Sequence, residues 1–278
     1  MKNFLTITIF VALLFGLVLS IGAFLGRDLI LNLINLTTNN SIVANRKVID
    51  QFAILSDLHS DVENTAKAVE AAKKLGAKYI VVIGDLTKVG TIEELKAVKK
   101  VFDDSDLVYW GVMGDHDRWQ SQEKNFKLVF GKIYESFDRN SIHHVLLDSS
   151  DLTNGLGNEQ LDWFKKDIEK NKNKEILIFM HLPIYHPTSD RTISNKAGED
   201  SERQKQTDRF LNIIEGKKII GIFSGDHHLS AFYTEPQTSV KIFISGAVTG
   251  ERNLQTPRFS WVQIYEDHSI EVEDIVIK

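Results

Sequence analysis

The chain has 278 residues, a formal net charge of −5, 26% charged residues and no cysteine. That length accommodates one α/β domain with a full core plus a leader. No basic surplus points to a nucleic-acid partner, and without thiols there are neither disulfides nor thiolate metal sites, so any metal must be held by oxygen and nitrogen.

Residues 4–25 carry no charge and consist mainly of Leu, Ile, Val, Phe, Ala and Gly. At 1.5 Å per residue, about 22 residues span roughly 33 Å, the thickness of a bilayer core. The run lacks a convincing small-x-small cleavage site, so a retained signal anchor over 1–26 is expected, with a cleaved leader and a secreted domain as the alternative. Lys2 before the run favours an extracytoplasmic domain, although Arg27 on the far side works against it. Residues 27–47 read as a juxtamembrane linker and 48–278 as the folded domain.

Within that domain, apolar strand-like runs alternate with helical patterns. A strand at 52–55 precedes a helix at 62–75, with Gly76 as its stop. A strand at 79–83 precedes a helix from about 91 to 102, where Thr91 and Glu94 form a capping box. A strand at 108–113 leads to a helix around 120–130. A strand at 142–147 is followed by a helix at 158–170 and a strand at 176–180. After a polar stretch, 187–206, Phe210, Ile213 and Ile214 suggest a short helix before a strand at 219–223. Runs at 240–245, 258–265 and 270–277 close the chain as strands, the last two joined by a turn at 266–269. Early alternation and late crowding of strands predict mixed sheets.

Five of these strands run into metal-ligand residue types. The first reaches Asp57-Leu58-His59, the second Gly84-Asp85, and the third Gly114-Asp115-His116-Asp117. The strand at 176–180 reaches His181, and that at 219–223 reaches Gly225-Asp226-His227-His228. Each motif alone has an ordinary explanation: a helix cap, a turn, a core histidine. In α/β sheets, however, sites form beyond the carboxyl ends of strands, and five such ends bring carboxylates and imidazoles to one rim. Such a ligand set suits two divalent cations and phosphoryl chemistry. His116 offers a proton near neutral pH, and Asp117 is expected to orient its ring. Asp226 and His228, two apart, share a face in extended chain, and His227 points away.

In this order the motifs resemble the calcineurin-like metallophosphoesterase superfamily, whose pattern is D-x-H, G-D, G-N-H-[DE], H and G-H-x-H. The length and the D-L-H motif look most like its cyclic-nucleotide phosphodiesterase branch. The resemblance covers about 52–248 and extends to 136–138, 144–149 and 159–164. It implies a four-layer α/β/β/α sandwich with two mixed sheets. It also implies one metal held by Asp57, His59, Asp85 and His228, a second held by Asp85, His181 and the residues at 115 and 226, and His116 as donor to the leaving oxygen. Two positions depart from the pattern: Asp115 replaces Asn and Asp226 replaces His. Both fall on the second metal. Two added carboxylates favour Mn²⁺, Mg²⁺ or iron over Zn²⁺, which stays admissible. The expected activity is metal-dependent hydrolysis of a phosphodiester, phosphomonoester or pyrophosphate, on small molecules or lipid head groups outside the membrane. The alternative is a weakly active or non-catalytic metal- or phosphate-binding module.

Overall fold

The computed structural model describes residues 46–194 and 201–278. The apolar run at 4–25 and most of the linker lie outside the described residues. Among those described, no helix is long and apolar enough to cross a membrane.

Two mixed sheets form the body. One has the order β11-β10-β1-β2-β3 and the other β4-β5-β6-β7-β9-β8. In the first, β1 (Val48–Leu55), β2 (Tyr79–Ile83) and β3 (Val108–Val112) run parallel. The antiparallel hairpin β10 (Arg258–Tyr265) and β11 (Ile270–Val276) completes it on the other side of β1. In the second, β5 (Ile142–Leu147), β6 (Glu175–Met180), β7 (Ile219–Ser224) and β9 (Lys241–Ile244) are parallel. Antiparallel β4 (Glu135–Arg139) and β8 (Ala231–Thr234) form its edges.

The layers follow from which side chains share a core. Phe52, Ile54, Val81 and Ile83 of the first sheet pack against Leu146, Leu177, Phe179 and Phe223 of the second. Helices α1 (Val62–Leu75) and α2 (Ile92–Asp103) cover the outer face of the first sheet, through Ala68, Val69, Leu95, Val98 and Phe102. Helices α5 (Asn158–Lys170) and α6 (Glu202–Ile214) cover the second, through Leu161, Phe164, Ile168 and Phe210. The arrangement is therefore helix, sheet, sheet, helix. Strands buried on both faces explain why β2, β6 and β7 read as continuous apolar runs rather than alternating ones.

Local chemistry agrees with the elements. The Thr91 side chain accepts from the Glu94 N–H while Glu94 reaches back to the Thr91 N–H. Gly76 ends α1 with φ 90° and caps its last carbonyls. Five elements differ from expectation. The segment 120–130 holds only α4 (Lys124–Phe130), because the chain first makes one helical turn, α3 (Asp115–Arg118), directly after β3. Helix α6 starts eight residues before Phe210, capped by Ser201, since its first two turns are polar. Edge strands β4 and β8 are short and alternate weakly, so they carry little sequence signal.

Candidate metal centre

The five predicted strand ends meet at one rim, where β1, β2 and β3 of one sheet face β6 and β7 of the other. Asp57, His59, Asp85, Asp226 and His228 all have left-handed backbones, with φ between 43° and 68°. Non-glycine residues rarely adopt that conformation, and its clustering is typical of functional sites. The glycines before them permit close approach. A Cβ on Gly84 would lie 2.4 Å from the His181 ring, and one on Gly225 would lie 1.9 Å from Ser56 Oγ.

Asp57, His59, Asp85 and His228 form the first group. Asp57 Oδ2 accepts from the Ser56 hydroxyl at 2.7 Å and the Asp226 N–H at 3.2 Å. Asp57 Oδ1 is buried, makes no hydrogen bond, and lies 3.4 Å from His228 Nε2. His59 Nε2 lies 3.0 Å from His228 Nε2 and 3.5 Å from Asp85 Oδ2. For ligand bonds of about 2.1 Å, adjacent donors in octahedral or tetrahedral sites are about 3.0–3.4 Å apart. This group fits a divalent cation. Burial holds the His59 pKa down at about 4, so the ring keeps a lone pair at neutral pH.

The second group is Asp85, Asp115, His181 and Asp226. Asp85 spans both groups, since its Oδ1 lies 3.3 Å from His181 Nε2. His181 Nδ1–H donates to the Ile83 carbonyl at 2.9 Å, which aims Nε2 at the carboxylates. Nε2 lies 3.4 Å from Asp115 Oδ1 and 3.6 Å from Asp226 Oδ1, and has no hydrogen bond. Burial opposes a charged ring here, but Asp85, Asp115 and Asp57 outweigh it and raise the His181 pKa well above normal. Into this group reaches Arg191, which no sequence motif marked. Its Nε and Nη2 bond both oxygens of Asp226, and Nη2 also bonds both oxygens of Asp115. The added negative charge at positions 115 and 226 was the one available hint that a cation must lie nearby.

His116 sits beside the first group, its ring edge-on to His59 at 4.6 Å and stacked on Trp119 at 4.2 Å. Its Nδ1–H donates to the Lys88 carbonyl at 2.8 Å, leaving Nε2 3.3 Å from Arg252 Nη2. Asp117 does not orient this ring, contrary to expectation. Its oxygens accept instead from the N–H groups of Leu86, Thr87 and Gly114 and from the Thr87 hydroxyl. The helical turn of α3 swings it beneath the Gly84-Asp85 loop, and it locks the ends of β2 and β3 together. Burial and then the charge of Asp85 raise its pKa, against those hydrogen bonds. His227 points away from the first group, as expected, and its Nε2–H donates to the Arg191 carbonyl at 2.8 Å. Above the two groups lies a cavity of about 420 Å³, lined also by Trp119, Leu152 and Arg252.

A helix–sheet–sheet–helix sandwich with paired acid–histidine groups at its strand ends defines the metallophosphoesterase class. The profile of the family described as Calcineurin-like phosphoesterase matches residues 51–230, well over half of the chain, and the chain belongs to that family. A probable glycerophosphodiester phosphodiesterase of Arcobacter nitrofigilis is 29% identical over 140 residues, 46% of this chain and 49% of the relative. This chain therefore spans about half the length of that relative. A 3',5'-cyclic-nucleotide phosphodiesterase of Nostoc is 24% identical over 193 residues, 68% of this chain and 72% of the relative. Among solved structures, a dimetal phosphatase from Danio rerio is similar in fold, with a TM-score of 0.64 and 14% identity over 84% of this chain and all of that one.

Proposed function

We propose that the protein is a metal-dependent hydrolase of phosphate esters, with phosphodiesters as its substrate class. The convergence of Asp57 Oδ1, His59 Nε2, Asp85 Oδ2 and His228 Nε2, with Asp57 Oδ1 buried and without a hydrogen bond, carries this reading. Membership of the family and the diesterase names of the two relatives support it. A bound divalent cation supplies Lewis acidity toward a phosphoryl oxygen and lowers the pKa of nearby water. Asp85 has oxygens directed at both groups and so ties them together. Arg252 and Nη1 of Arg191 offer N–H donors to phosphoryl oxygens in the cavity. His116, held by the Lys88 carbonyl, presents Nε2 to the leaving oxygen. With Nδ1–H committed to the Lys88 carbonyl, Nε2 is the atom that can donate a proton to the leaving oxygen or stabilise the departing charge through a bridging water.

The apolar run at 4–25 supports a membrane anchor with this domain on the extracytoplasmic side. Lipid head groups and external nucleotides are then the substrates within reach.

The test is hydrolysis of an aryl phosphodiester by the full-length protein across Mn²⁺, Fe²⁺, Mg²⁺ and Zn²⁺. Activity that depends on added metal and vanishes together with bound metal in Asp85→Ala supports the reading. A folded protein that takes up metal yet hydrolyses no phosphate ester would establish the non-catalytic binding module instead.

A further inference from the structure

In the family's pattern, positions 115 and 226 are Asn and His, neutral residues that leave the positive charge of a second cation to be felt by substrate. Here both are buried aspartates, and one side chain answers them. Arg191 engages all four oxygens of Asp115 and Asp226, at distances from 2.6 to 3.2 Å. Oδ1 of each aspartate also faces His181 Nε2, so these are the oxygens a second metal would need. We propose that the Arg191 guanidinium replaces the second metal ion, making this a one-metal, one-arginine phosphoesterase. The proposal rests on the hydrolase reading above.

The arginine is placed by a built loop. Its carbonyl accepts from His227 Nε2–H, and His227 packs on the ring of His186 at 4.6 Å. His186 in turn bonds the Tyr233 hydroxyl and accepts from the Ser189 N–H. On the other side, Thr192 and Ile193 are buried, and their carbonyls accept from the Arg203 guanidinium of α6. His227, the first histidine of the Asp-His-His run, is thus a positioning residue for Arg191 rather than a spare ligand.

Charge and geometry both favour this arrangement over two metals. A planar guanidinium matches two carboxylates through a fork of N–H donors, and it cannot be deprotonated at working pH. The Asp226 side chain is fully buried, and burying that carboxylate demands a paired cation. Arg191 is 47% exposed on its outer side, and its Nη1 has no protein partner among the described residues. That nitrogen remains available to a phosphoryl oxygen, the role the second metal would otherwise fill.

Metal stoichiometry tests this. The full-length protein is equilibrated with Mn²⁺, and bound metal is counted by mass spectrometry while the electron spin resonance spectrum reports isolated or exchange-coupled ions. One Mn²⁺ per chain with an isolated-ion spectrum in the wild type is expected. Arg191→Ala should bind two and show coupling, whereas Arg191→Lys should stay at one. Two coupled ions in the wild type would overturn the proposal and leave the hydrolase reading intact. One ion in both wild type and Arg191→Ala would also overturn it, since the arginine would then exclude nothing. No bound metal in any form would remove the hydrolase reading and this inference together.

Discussion

His116 is held rigidly by stacking on Trp119 and by a backbone carbonyl, and its ring meets the convergent donors only at His59, while its bond to Asp85 Oδ1 comes from the backbone N–H, which a side-chain substitution keeps. It should therefore be separable from metal binding. His116→Ala is expected to keep its metal content and lose about 10²–10⁴-fold in turnover on a poor leaving group, with a smaller loss on an activated aryl ester. Equal losses on both leaving groups would point to a packing role instead. Gly84 is a sharper case. Its φ of 74° is strained for any other residue, and a Cβ would collide with the His181 ring at 2.4 Å. Gly84→Ala should displace His181, lower bound metal, and destabilise the fold by about 1–3 kcal/mol. Chemical denaturation and metal analysis would check both parts.

The strands carry a second buried polar group, away from the rim. His144 on β5 stacks on Phe137 and Phe179 and lies 2.7 Å from the Tyr79 hydroxyl of β2, tying the two sheets together. Burial depresses its pKa from 6.5 to about 3. Between those values the unfolded chain takes up a proton that the folded chain refuses. The stability His144 contributes is thus complete above about pH 6.5 and is lost as pH falls toward 3, at roughly 1.4 kcal/mol for each pH unit. His144→Phe preserves the stacking and should flatten the acid limb of stability measured by denaturant titration from pH 7 to 4. An unchanged slope would assign acid sensitivity to the rim carboxylates.

At the scale of the whole molecule, the site's charge should govern what it hydrolyses. Four rim carboxylates answered by one dication and the Arg191 guanidinium carry one positive charge fewer than the same carboxylates around two dications, so the site attracts a second negative charge on the substrate phosphate less strongly. A dianionic monoester is then disfavoured relative to a monoanionic diester. One extra charge about 5 Å away costs at most about 3 kcal/mol at an effective dielectric of about 20. Diesters should exceed monoesters by about 10- to 100-fold in kcat/KM for matched leaving groups, and Arg191→Ala loaded with two metals should narrow that ratio. The leader makes a separate prediction. Protein recovered from membranes should still contain residues 4–25 by intact mass, and a soluble form beginning near Ala23 would mark the run as a cleaved signal.

Much of this protein is local and so could be read along the chain. Helix α1 with its Gly76 stop, the Thr91–Glu94 cap and the continuous apolar strands depend on near neighbours and on burial of both sheet faces. The order of Asp57, His59, Asp85, His116, His181 and His228 after those strands marked the rim, because ligands must follow strand ends to meet. Three things required the tertiary structure. The role of Asp117 changed because one helical turn after β3 rotates it under the adjacent loop. The short edge strands β4 and β8 exist only because a neighbouring strand pairs with them. Arg191 lies in a polar stretch with no periodicity, 76 residues from Asp115 and 35 from Asp226. Sequence alone showed a rim with two carboxylates too many, and only the fold decided which cation answers them, because charge pairing acts through space and leaves no spacing in the chain.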